Sequence, residues 1–86
     1  MHAVKNVQYL SGYRLLLTFE DASTRLVDLA PHLDGEVFGP LRDAEYFRRV
    51  RLNEELDTVV WDNGADFSPD FLYEIGSEVS KAAGVR

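Results

Sequence analysis

The sequence predicts an α+β domain: a small, mainly antiparallel sheet in the order β-β-β-short α-β-β-α, with a C-terminal amphipathic helix packed on it. The stretch "YRLLLTFE" alternates, placing Tyr13, Leu15, Leu17 and Phe19 on one face as a half-buried strand requires. Turn-forming clusters separate it from the apolar runs on either side. Near the C-terminus, Ser68, Pro69 and Asp70 give a helix start ahead of apolar residues at helical spacing.

Taken in order, "AVKNVQYL" (residues 3–10) is β-rich without clean alternation, and "SG" joins it to the alternating strand. "EDAS" breaks that strand, and "TRLVDL" resumes with Arg25, Val27 and Leu29 on one face and Thr24, Leu26 and Asp28 on the other. These make a three-stranded meander. From Ala30 to Pro40, two Pro and two Gly in eleven residues predict a loop. A short helix fits "LRDAEYF", with Leu41, Ala44 and Phe47 on its inner side. "RRVRLNEELDTVVWD" reads as two strands about a turn at "NEELD", with Val50, Leu52, Val59 and Trp61 inward.

The last element has the most complete signals. Ser68 suits the N-cap, Pro69 the first helical position and Asp70 the positive end of the dipole, and Phe67 can staple against Leu72. Phe71, Leu72, Ile75, Val79 and Ala82 then form one stripe, which Gly84 can end.

A chain of 86 residues holds one domain, residues 1–86, with one small core. Apolar residues make up 45% of it and there is no cysteine, so burial must hold the fold without disulfides or thiolate metal sites. The N-terminus carries no basic stretch ahead of an apolar segment, and no run approaches the ~20 apolar residues a membrane span needs. A cytoplasmic location is the simplest expectation, with no membrane partner. Fifteen acidic against nine basic residues leave a net charge of −6, which opposes general affinity for polyanions and favours a basic protein partner.

"WDNGADFSPDFLY" reads first as a strand-turn-helix joint, because Asn63 and Gly64 tolerate positive φ and the helix start follows too soon for a returning strand. In the bland reading Trp61 is a core or rim aromatic, while Asp62 and Asp66 tie down backbone N–H groups of the turn. In the functional reading Trp61, Asp62, Asn63, Asp66 and Tyr73 form a recognition surface, since Trp and Tyr combine buried area with a polar handle. A calcium loop does not fit: counted from Asp62, position 3 is Gly64, position 6 is Phe67 and position 12 is Tyr73. Glu54, Glu55 and Asp57 belong to a turn, where solvated charges are ordinary. His2 and His32 have no second His or Cys nearby, and no serine lies in a nucleophile-elbow context. Catalytic, cofactor and metal residues are therefore expected to be absent. Arg42, Arg48, Arg49 and Arg51 form a basic strip: most simply a solvated outer face, alternatively a contact for nucleic acid or an acidic patch.

The segments "YRLLLTFEDASTRLVDLAPHL", "VFGPLRDAEYFRRVRL" and "TVVWDNGADFSPDFLY" together resemble the small bacterial domain of unknown function 2442, over about residues 4–75. Its pattern is a strand ending in Phe, a strand ending V-D-L, a loop reaching F-x-P-L, and a closing W-x-N-G-A-D-x-x-P-x-x-L-Y. Phe19, Asp28, Phe38, Leu41, Trp61, Asn63, Gly64, Asp66, Pro69, Leu72 and Tyr73 match it. One departure is Asp21-Ala22, where relatives carry Asp-Gly. The resemblance implies an α+β fold and assigns no residue a chemical role. Similar domains occur beside a gene for another small protein or fused to a helix-turn-helix, which implies antitoxin-like or regulatory roles; this chain leaves no residues for a helix-turn-helix.

Three functions follow as expectations. The first is a non-enzymatic interaction domain, the acidic partner of a basic protein encoded by a neighbouring gene, acting by occlusion or by pairing a sheet edge. The second is a nucleic-acid-linked regulator that uses the arginine strip with a partner or as a dimer. The third is a small-ligand binder or enzyme centred on Asp62, Asn63 and Asp66, which requires a cleft beside Trp61.

Overall fold

The alternation of residues 13–19 becomes the second strand of a four-stranded sheet in a computed structural model that describes residues 2–79. Strands β1 (Val4–Ser11), β2 (Arg14–Phe19) and β3 (Thr24–Asp28) form the antiparallel meander. Gly12, at φ +54°, takes the first reversal at no steric cost. At the second, the Asp21 carboxylate accepts hydrogen bonds from the Ser23 N–H (2.9 Å) and hydroxyl (2.6 Å). Ala22 is there forced to φ +71°, which its Cβ disfavours. Val4, Leu15, Leu17, Phe19 and Val27 are buried on the inner face.

The segment after β3 is more ordered than its Pro and Gly content predicts. Instead of a plain loop, Ala30–His32 forms a 3-10 turn and Gly35–Phe38 a single helical turn, α1. Pro31 suits the start of the first, and Gly35 at φ +88° admits the second. The predicted short helix is likewise divided: Gly39–Arg42 is a 3-10 turn and α2 covers only Ala44–Phe47. Asp43 sits between them in extended conformation and caps α2, its carboxylate accepting from the Glu45 N–H (3.0 Å). Leu41 and Phe47 are buried as expected, but the break rotates Ala44 out to solvent.

Strands β4 (Arg51–Asn53) and β5 (Thr58–Val60) form a separate hairpin. The Asn53 side chain organises its turn by accepting from the Glu55 and Leu56 N–H groups. All of β5 is buried, so the Thr58 hydroxyl needs an internal partner, and it donates to the Phe67 carbonyl (2.6 Å). A hydrogen bond from Val4 N–H to Asp57 O (2.8 Å) ties this hairpin to β1.

Helix α3 runs from Pro69 to Ile75, capped by Ser68 as expected. Phe67 stacks on Phe71, with ring centroids 5.9 Å apart and planes at 14°. The helix then stops much earlier than its apolar stripe predicts. Gly76 is extended, and Ser77–Glu78 forms β6, which pairs antiparallel with β3 and completes the order β1-β2-β3-β6. Close approach explains the glycine: a Cβ there would lie 2.9 Å from Arg25 Cβ and 3.2 Å from Val27 Cγ2. Val79 is an exposed residue beyond β6, not part of a helical stripe; Ala82 and Gly84 lie outside the described residues.

The core lies between the inner face of the four-stranded sheet and a cap made by Leu33, Leu41, Phe47, Trp61, Phe67 and Leu72. Full burial of each such side chain stabilises the fold by about 1.5–3 kcal/mol. On the opposite face of the sheet Asn6, Gln8, Arg14, Leu26 and Ser77 are exposed among the described residues.

Candidate interaction surface

The motif from Trp61 to Tyr73 begins where β5 leaves the core. Trp61 is 1% exposed, tilted against Phe47, and its indole N–H donates to the Phe47 carbonyl (2.9 Å). Both its apolar body and its polar handle therefore face inward. The chain turns at once: Gly64 N–H bonds to Trp61 O and Trp61 N–H to Ala65 O, each at 3.0 Å, with Gly64 at φ +89°. A single bridge between Val60 and Asp66 is all the returning strand that forms.

Asn63, rather than Asp62 or Asp66, fastens this turn. Its side-chain oxygen accepts from the Ala65 N–H (3.0 Å), and its amide donates to the Val37 carbonyl (3.0 Å) on α1. Asp62 forms an ion pair with Arg51 across the β4–β5 hairpin. Asp66 is exposed and forms no ion pair with another described residue. Asp62, Asn63 and Asp66 thus share one exposed turn over a sealed tryptophan.

Tyr73 belongs to a different cluster. Its ring stacks on His2 (centroids 3.5 Å apart, planes at 4°), meets Phe19 edge-on and lies 3.7 Å from the Arg25 guanidinium carbon. The Tyr73 hydroxyl donates to Asp21 (2.8 Å), and Arg25 donates to the carbonyls of Tyr73 (3.3 Å) and Gly76 (3.2 Å). His2 N–H is held by Asp70 (2.8 Å). This cluster joins the N-terminal segment, the β2–β3 turn, α3 and β6. Hydrogen bonds from the Ser23 hydroxyl and N–H, then from Tyr73, hold the Asp21 carboxyl down at about 2.

The arginine strip is largely neutralised from within. Arg42 donates to Leu33 O (2.7 Å) and pairs with Asp34 (2.8 Å). Arg48 pairs with Glu45 (3.7 Å) and faces the Tyr9 ring, while Arg51 pairs with Asp62. Arg49 forms no ion pair with another described residue, and neither do Glu20, Glu36, Glu54, Glu55 and Glu74. The surface charge left uncompensated by these pairs is mainly negative.

An open cavity of about 350 Å³ lies beside the N-terminal segment, lined by His2, Ala3, Glu20, Leu56, Asp57, Pro69 and Asp70. None of Asp62, Asn63 and Asp66 lines it. Among the described residues no His, Asp and Glu side chains gather as a metal-ligand set, and no helix is long and apolar enough to cross a membrane.

Sequence reasoning missed the roles of His2, Asp21 and Arg25. The one available signal was Arg25 itself, a charged residue on the same strand face as Val27 and Leu29.

The fold is that of a small α+β domain in which a strand-turn-helix motif runs from Trp61 to Tyr73. The chain belongs to the DUF2442 family of proteins of unknown function, whose model matches residues 4–78. Neither curated proteins nor solved structures give a match.

Proposed function

We propose that the chain is a non-enzymatic interaction domain that binds a basic protein, acting as the acidic, antitoxin-like or regulatory partner of a neighbouring gene's product. The observation that carries this reading is the pairing pattern of its charges. Arg42, Arg48 and Arg51 are each matched to a carboxylate of the same chain, and Arg25 lies over the Tyr73 ring. Glu20, Glu36, Glu54, Glu55, Asp66 and Glu74 are left to act on whatever approaches. A field of one sign attracts a partner of the opposite sign and speeds its encounter.

The same pairing weighs against the arginine strip as a nucleic-acid contact, because those cations already have counterions. The resemblance to domains that occur beside a gene for another small protein supports a protein partner.

Co-expression with the product of the adjacent gene, affinity capture and light scattering test the proposal. A stoichiometric complex is the expected result. Elution of this chain alone, with both proteins folded and present at micromolar concentration, overturns it.

A further inference from the structure

Asn63-Gly64 is the single Asn-Gly step in the chain; Asn6 is followed by Val7 and Asn53 by Glu54. An asparagine ahead of glycine is especially prone to lose its amide, because no side chain on the second residue obstructs attack by that residue's backbone nitrogen. The step sits on an exposed turn, so water reaches it. Yet the fold engages every group the reaction needs. The Gly64 N–H, whose nitrogen is the nucleophile once deprotonated, is donated to the Trp61 carbonyl (3.0 Å). The Asn63 amide nitrogen donates to the Val37 carbonyl (3.0 Å) and the amide oxygen accepts from the Ala65 N–H (3.0 Å), so the side chain is held at both ends. Exchanging that oxygen and nitrogen would lose both bonds, which fixes the orientation of the amide.

We infer that Asn63 is a self-modification site, protected while the turn is closed and converted to aspartate or isoaspartate when it opens, and that the conversion detaches α1. In the open turn the Gly64 nitrogen gives its proton to hydroxide and attacks the Asn63 Cγ. A bond forms between those two atoms, the bond from Cγ to Nδ2 breaks, and Nδ2 leaves as ammonia after taking a proton from water. The cyclic imide that results is opened by water at either of its two carbonyls. Attack at one gives aspartate, and attack at the other gives isoaspartate. In sum water is consumed and ammonia released, with no oxidant or reductant.

Neither product remakes the tie to α1. A carboxylate has no hydrogen to donate, so at position 63 it meets the Val37 carbonyl as a second acceptor. It still accepts from the Ala65 N–H, as the Asp21 carboxylate accepts from the Ser23 N–H (2.9 Å) at the β2–β3 turn. Aspartate therefore frees α1 and leaves the turn closed. Isoaspartate adds a methylene to the backbone inside the turn that Trp61 N–H closes on Ala65 O (3.0 Å), and that turn opens as well. α1 is one helical turn, closed by Gly39 N–H on Gly35 O, and so short a helix does not hold its shape without outside contacts. Phe38, stacked on Phe67 at 4.6 Å between centroids, still anchors its end. The inference stands independently of the proposed basic partner.

Incubation of the full chain in mildly alkaline buffer, native and unfolded in urea, followed by mass spectrometry of its peptides, tests the inference. In urea, amide loss at Asn63 should run at least tenfold faster than at Asn6 or Asn53. In the native chain the rate at Asn63 should fall at least tenfold, since reaction waits on local opening. It should rise in step with hydrogen exchange of the Gly64 amide as urea is added below the unfolding midpoint. Asn63→Asp stands in for the aspartate product: its Gly39 amide should exchange at least threefold faster than the parent's, with the Leu17 amide little changed. Circular dichroism checks that this variant is folded, and parent chain deamidated during the incubation supplies the same reading without it. Equal rates in the native and unfolded chain, amide loss spread evenly over the three asparagines, or a Gly39 amide as protected after conversion as before would overturn the inference.

Discussion

Trp61 and Tyr73 bound one sequence motif, yet they sit in two regions built on opposite principles. Around Trp61 the contacts are apolar and closed: Phe47 and Phe67 flank the ring, and the indole N–H is satisfied inside the core. Around Tyr73 they are polar and half-open: His2, Arg25 and Asp21 converge on one ring and its hydroxyl. The first region holds the fold together by burial. The second fastens chain segments that would otherwise have few contacts, through bonds that pH and substitution can change one at a time. A motif that reads in sequence first as a strand-turn-helix joint has an interior anchor at one end and a rim clasp at the other.

The strongest way to break this contrast is at the anchor. Trp61→Ala removes a fully buried indole and leaves the Phe47 carbonyl without its donor, which is expected to cost about 3–5 kcal/mol. Small domains hold about 5–15 kcal/mol in total, so urea denaturation should show the variant marginally folded or unfolded at 25 °C. Gly76→Ala comes next. Its Cβ would meet Arg25 Cβ at 2.9 Å and the Leu72 carbonyl at 3.1 Å, atoms held by the backbone. A loss of about 1–3 kcal/mol is expected, with hydrogen exchange of the Val79 amide accelerated more than that of the Leu17 amide.

Two smaller changes sharpen the clasp. Ala22→Gly relieves the φ of +71° at the β2–β3 turn and should raise stability by about 0.5–1 kcal/mol, a gain in the urea midpoint at unchanged slope. Tyr73→Phe keeps the ring stack and removes only the hydroxyl, so the Asp21 carboxyl should titrate above its present value of about 2, towards 3.8, as followed by NMR. The sign for stability follows from the depressed value. Ionised Asp21 stabilises the fold fully above about 3.8, and that contribution is lost as pH falls through about 2. In the phenylalanine variant the pH window of this loss narrows from its acidic side.

Much of the fold is legible in the sequence because it depends on local pattern. The alternation from Tyr13 to Phe19 and the Ser68-Pro69 start each carry their own signal within a few residues. The end of α3 does not. Val79 and Ala82 extend the helical stripe by spacing alone, whereas the helix stops because Gly76 must pass close to Arg25 and Val27 of β3, fifty residues away in the chain. The turn from Ala30 to Pro40 reads as loop because its Pro and Gly residues also suit the short helical turns that form there. Charge pairing is hidden for a similar reason. Arg42 with Asp34 and Arg51 with Asp62 are separated by eight and eleven residues, so a strip that reads as basic becomes largely neutral only once folded. His2 gives no signal at all, since a residue near a terminus acquires its role only when Tyr73 and Asp70 come to meet it.

The most direct test of the central claim, that the unpaired carboxylates draw a basic partner, is isothermal titration of the chain with the neighbouring gene's product at about 50 and about 300 mM salt. The account predicts binding at micromolar concentration or tighter that weakens several-fold at the higher salt. No heat of binding at about 100 µM, or an affinity indifferent to salt, would contradict it.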